Sequence, residues 1–388
     1  MLRLLVTVAV FCVGVLTGIS GVACLWDRDT LAMERQRFPT ALELITGKFL
    51  RHSDEFYRWR IADRNERIAL EPSAGLYDDL AVAYEKIGAT EAAIRSIKKK
   101  GELYPGLYST HANLGTFYFH SGEYELGLVE IEKALAINPE AHFGRERYQK
   151  LLVEYIAAQQ DGEEIVLPLA DEGPSGTGPV GFGAFLVEKN REATAGTEDA
   201  DAIDAGLIGV LGMMKFGNFD SPVLLEALAD LLVSRGFDSD AKRLAARAYL
   251  KASYETESKV AETAYRKKAE QCLQFQAKTS RTHTRLSLGE LETQFRSEVN
   301  EAAQWYEGVV AKEKTWIKEG VDVEKAFERE FYSPPEVAGP VVAGLRATDS
   351  NFELSVPLIV FAAFVCTAIC GVAFLFLRQK NKRKAATG

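Results

Sequence analysis

Apolar residues recur along this chain at helical spacing, and the helices they predict recur in turn. A shift of 34 residues superposes Tyr77 on His111, Leu80 on Leu114, Ala81 on Gly115, Tyr84 on Tyr118, Gly88 on Gly122, Ala93 on Gly127, Ile97 on Ile131 and Pro105 on Pro139. Leu80 and Tyr84 stand four apart on one helix face, and Ala93 and Ile97 do the same on the next helix. Gly88 permits the turn between them, and the small residues at 81, 93, 115 and 127 let the backbones approach. Pro105 and Pro139 close the second helices, because proline cannot continue one. The predicted unit is a pair of packed antiparallel helices.

The pattern extends in both directions. Leu70-Glu71-Pro72 marks the end of an earlier unit with a helix over 56–70, and 142–156 reads as a further first helix. Leu228, Gly236, Ala241 and Ala248 keep the same spacing later, with a helix expected before them near 207–219. Ser287 and Glu290 form a capping box ahead of Leu288, Leu291, Phe295, Val299, Ala302, Tyr306 and Val309, which predicts a long amphipathic helix packed on the repeats. A second helix is expected over 322–331. The divisions that follow are an N-terminal repeat domain at 25–160, a second repeat-like region at 201–277, amphipathic helices at 281–332 and a proline-bearing stalk at 333–353. Residues 161–200 hold seven glycines, three prolines and nine acidic residues. They predict an inter-domain linker with one short strand at 165–169.

Residues 108–141, and less closely 74–107, resemble the tetratricopeptide repeat in their large-residue, Leu-Gly, Tyr, Gly, Ala, Phe and Pro positions. The resemblance implies an all-α fold, a solenoid of helix-turn-helix units to which the C-terminal helices and one membrane helix are added. Lys100 departs from the family's small residue and is expected to face solvent. In such stacks the first helices line a concave groove that docks a peptide or partner helix. On this chain the corresponding groove residues are Asp78, Val82, Glu85, Ala112, Asn113, Thr116, Phe119 and Lys150. Phe117, Tyr118 and Phe119 cannot all face one core, and with Tyr118 buried the expectation sends Phe119 into the groove. The stretch from Cys24 to Arg64, with 212–232, also resembles exported bacterial repeat proteins that carry no assigned activity.

The ends change the picture of location. Between Glu353 and Arg378 run 24 uncharged residues, enough to cross a bilayer, so 354–377 is read as a single transmembrane helix. Arg378, Lys380, Lys382, Arg383 and Lys384 follow, which places the basic tail 378–388 in the cytoplasm. At the other end, an apolar run from Leu4 and the small residues Gly21-Val22-Ala23 predict a signal peptide over 1–23, cleaved before Cys24, or else an uncleaved anchor. Either way the region between lies outside the cytoplasm. With 40 basic against 55 acidic residues it repels nucleic acid and anionic headgroups. Cys272 is its only cysteine beyond Cys24, so no disulfide framework exists there. Ala363, Thr367 and Gly371 form a small-residue stripe that could support a homodimer through the membrane helix.

The chemical motifs are sparse. Gly176, Gly178 and Gly181 satisfy GxGxxG, yet Asp171, Glu172, Pro174 and Pro179 deny it the strand-to-helix setting of a dinucleotide site. None of the five histidines makes a His-x-x-x-His pair, and His142 with Glu146 reads as a solvated contact. No Gly-x-Ser-x-Gly elbow occurs. No cofactor or metal is expected. The favoured reading is a membrane-anchored extracytoplasmic scaffold that binds a partner protein or peptide in the cell envelope. The alternative is an envelope enzyme with its site in the Gly-rich segment or the C-terminal helices.

Overall fold

A computed structural model describes residues 27–28, 37–139, 145–159, 165–171, 173–174, 178–193, 198–236, 238–274 and 286–332. In chain order these form α1 (Ala41–Thr46), α2 (Asp54–Leu70), α3 (Ala74–Lys86), α4 (Thr90–Leu103), α5 (Tyr108–His120), α6 (Tyr124–Ile137), α7 (Arg145–Gln159), α8 (Gly181–Ala193), α9 (Asp199–Phe216), α10 (Pro222–Val233), α11 (Ser239–Glu255), α12 (Lys259–Gln274), α13 (Leu288–Glu319) and α14 (Val323–Phe327), with a π-helical turn at Glu328–Tyr332. No strand occurs among the described residues. The fold is all-helical.

The repeat geometry follows from the glycines. Gly88, Gly122 and Gly236 turn α3 into α4, α5 into α6 and α10 into α11 at φ of 76°, 82° and 76°, a left-handed conformation that costs other residues about 1–2 kcal/mol. Between α5 and α6 a Cβ on Gly115 would meet Ile131 at 2.7 Å, and one on Gly127 would meet the Phe119 ring at 2.3 Å. Only glycine lets these helices pack so closely. Ser287 and Glu290 form the expected capping box at the start of α13.

Two expectations are corrected. Residues 161–200 are not a linker between domains: they carry α8, whose Phe182, Leu186 and Val187 are buried in the cluster that also takes in α7 and α9–α12. Nor is 165–169 a strand. The Leu169 and Ala170 N–H groups donate to the Glu226 carboxylate (2.8 and 3.3 Å) and so have no need of a ladder.

α13 is about 48 Å long and runs from one end of the repeats to the other. Leu291 and Phe295 enter the core beside α11 and α12. Toward its other end Glu313, fully buried, accepts the Ser53 N–H at 2.9 Å and lies 2.5 Å from His52 Nδ1. A carboxylate from α13 thus sits at the N-terminus of α2, where helix amides lack partners. Tyr306 donates to the His52 carbonyl at 3.0 Å, and the Arg51 guanidinium lies 3.5 Å from the Tyr306 ring centre. No helix among the described residues is long and apolar enough to cross a membrane. The segments 1–23 and 354–377, the stripe from Ala363 to Gly371, the stalk and the basic tail lie outside those residues.

Candidate functional site

The first helices of the repeats, α3 and α5, do present a shared face, but that face is filled by the chain itself. Phe216, at the end of α9, joins Val82, Ala112 and Leu114 in one apolar cluster, and Tyr332 packs against it. Lys86 fastens the plug by donating to the Phe216 and Gly217 carbonyls at 2.6 and 2.7 Å, a cation at a helix C-terminus. Burial lowers its pKa to about 8.

Six of the eight expected groove residues are buried: Asp78, Val82, Ala112, Asn113, Thr116 and Phe119. Phe119 points the opposite way from the expectation. Its ring lies over Gly127 and packs with Ile131 and Val153, in a hollow that the missing side chain at 127 leaves open. Thr116 accepts from Gln149 at 3.1 Å. Glu85 and Lys150 reach solvent, paired with His120 and Glu132 at 2.7 and 2.8 Å.

Lys100 also corrects its expectation. It is fully buried, with Nζ donating to both oxygens of Asp78 at 2.7 Å and to Ser109 Oγ at 2.6 Å, while Asn113 Nδ2 donates to Asp78 at 3.0 Å. The large residue is tolerated because a carboxylate from α3 meets its charge. Burial pushes Asp78 up to about 7, against the lowering effect of Lys100.

Two further ionic clusters escaped the sequence reading. Arg60 and Arg64 of α2, both buried, share Glu324 of α14; Arg60 also reaches Asp27 at 3.2 Å and Arg64 reaches Asp79 at 2.8 Å. Arg28 adds its N–H to Asp79 (3.1 Å) and its guanidinium to Glu324 and Glu328. In the second cluster Glu226 accepts from Lys268 (2.8 Å) and Tyr265 (2.7 Å), and Asp230 from Tyr249 (2.5 Å) and the Phe182 N–H (3.0 Å). Burial pushes Asp230 up to about 7 and raises the Cys272 thiol as well. Here the Gly-rich segment finds its use. A Cβ on Gly181 would lie 1.9 Å from Asp230, so the glycine admits a protein carboxylate to the amides that begin α8. Among the described residues no group of three or more acidic, histidine or cysteine side chains could hold a metal, and His142 lies outside them.

What remains open is at the edge. A cleft of about 700 Å³ lies where α2 passes into α3, bordered by Leu70, Pro72 and Leu76 together with Asp27, Arg28, Arg67 and Glu71. Beyond it, Leu103 and Ile137 occupy the ends of α4 and α6 and remain 46% and 48% exposed. No protein-family model, curated protein or solved structure matches the chain.

Proposed function

We propose that this chain is a tetratricopeptide-like scaffold, exported and held in the membrane by 354–377, that binds a partner protein or peptide of the cell envelope along the edge of its repeats. The observation that carries the reading is the recurrence of exposed aliphatic side chains at one repeat position. Leu103 and Ile137 are 34 residues apart, and Leu70, 80% exposed, precedes Leu103 by 33. Each ends the second helix of a unit, so stacking the units brings them to a common edge. Exposed apolar side chains recurring along one edge of a charged surface suit an interaction site, and burying each against a partner contributes roughly 1.5–3 kcal/mol. Because the chain itself fills the concave face, this reading puts the docking surface at the edge in place of the groove.

The test uses the full chain in its native membrane with a photo-crosslinking residue at 103, at 137, or at the still more exposed Val260 of α12. One adduct shared by 103 and 137, absent at 260, and lost in Leu103→Asp or Ile137→Asp is the expected outcome. Indistinguishable adducts at all three positions would refute the edge. A turnover by the purified protein that vanishes on changing one residue would replace the scaffold with an enzyme.

A further inference from the structure

The cleft between α2 and α3 has its own claim on an occupant. Asp27 lines it, and Asp27 is pinned: its carboxylate meets the buried Arg60, and the next residue's N–H donates to Asp79. Leu25 and Trp26 immediately precede Asp27 in the sequence, and two residues of chain reach no more than about 7 Å. Both carry large apolar side chains. The cleft offers them an apolar wall of Leu70, Pro72 and Leu76. End units of a repeat stack need a cover.

We infer that the cleft is the seat of the chain's own mature N-terminus, with Leu25 and Trp26 against Leu70, Pro72 and Leu76 and the new α-amino group of Cys24 facing Glu71. Glu71 suits that role because it is exposed at the rim and has no ion pair among the described residues. The seat is available only after cleavage before Cys24. Without cleavage, residue 25 continues an apolar run from Leu4 that belongs in a membrane. Removal of the leader therefore completes the N-terminal cap of the stack. The inference rests on the export reading and shares only Leu70 with the partner edge, leaving Leu103 and Ile137 open.

The experiment produces the full chain with its own leader and establishes the N-terminus by sequencing, which separates failure of export from failure of the seat. Benzoylphenylalanine in place of Trp26 is expected to yield an intramolecular adduct mapping to 67–79, with helical content unchanged from the parent. Ala23→Leu, which blocks cleavage, is expected to reduce that adduct at least fivefold and to lower the melting temperature by about 3 °C or more. A measurement that leaves the aromatic side chain in place is maleimide labelling of Cys24, expected at least tenfold slower in the parent than in Leu25→Asp. Adducts to other segments or to lipid overturn the inference. So do an adduct undiminished in Ala23→Leu and equal labelling rates in the parent and Leu25→Asp.

Discussion

Replacing Lys100 with alanine removes one member of a buried pair and leaves the other. Asp78 is 7% exposed and Lys100 not at all, so solvent screens this pair little. The substitution leaves a carboxylate with Ser109 and Asn113 as neutral partners and no compensating charge. Breaking a buried pair in this way costs about 3–5 kcal/mol, a fall in melting temperature of roughly 5–15 °C for a unit of this size. The loss depends on pH in a definite direction. The folded-state pKa of Asp78, about 7, lies above its ordinary value of 3.8 because of desolvation. Stability from this group is fully present below about pH 4 and is lost as pH rises through 7. Without Lys100 the carboxyl holds its proton to still higher pH, so the variant escapes part of the penalty in acid. Thermal unfolding followed by circular dichroism at pH 5 and pH 8 should show the larger deficit at pH 8. Lys100→Met with Asp78→Leu should recover most of it, because two apolar groups leave no orphan charge. A deficit under about 1 kcal/mol at pH 8, or one equal at both pH values, would refute the reasoning.

Asp230→Asn removes a second raised carboxyl. The parent's loss of stability between about pH 4 and 7 should become shallower in that variant, as read from melting temperature against pH. Phe119→Ala empties the hollow over Gly127 and should cost about 3–5 kcal/mol in denaturant unfolding while leaving crosslinking at 103 and 137 unchanged. A reporter enzyme fused after Gly388 should be active in the cytoplasm, and one inserted after the exposed Glu257 should be active outside; the opposite pattern would invert the topology.

The repeated units were legible because their signals are local. A glycine with positive φ, a proline past a helix end and apolar residues four apart each act within a few residues of themselves, and all three turns fell where Gly88, Gly122 and Gly236 placed them. The direction of Phe119 was not local: it depends on the absence of a side chain at Gly127, on the facing helix. Burial of Lys100 depends likewise on Asp78, 22 residues away. A trace of the second cluster was present in the sequence. Glu226 and Asp230 are two acids four apart inside the otherwise apolar run VLLEALADLL, too costly to bury unpaired. That spacing announces partners without naming them, and Lys268, Tyr249 and Tyr265 come from other helices. The filling of the concave face came from residues more than a hundred positions away, Phe216 and Tyr332, which no repeat alignment connects to α3 and α5.

The bond from Glu313 to His52 spans 261 residues of chain. Repeat arrays ordinarily fold through neighbours, each unit settling on the one before it, which keeps their contact order low. Here α2 receives its terminal carboxylate from a residue synthesised 261 positions after His52. The early units therefore spend most of synthesis without their closing partner. Final closure must await a loop search across those 261 residues, a slow step of the kind that long-range contacts impose.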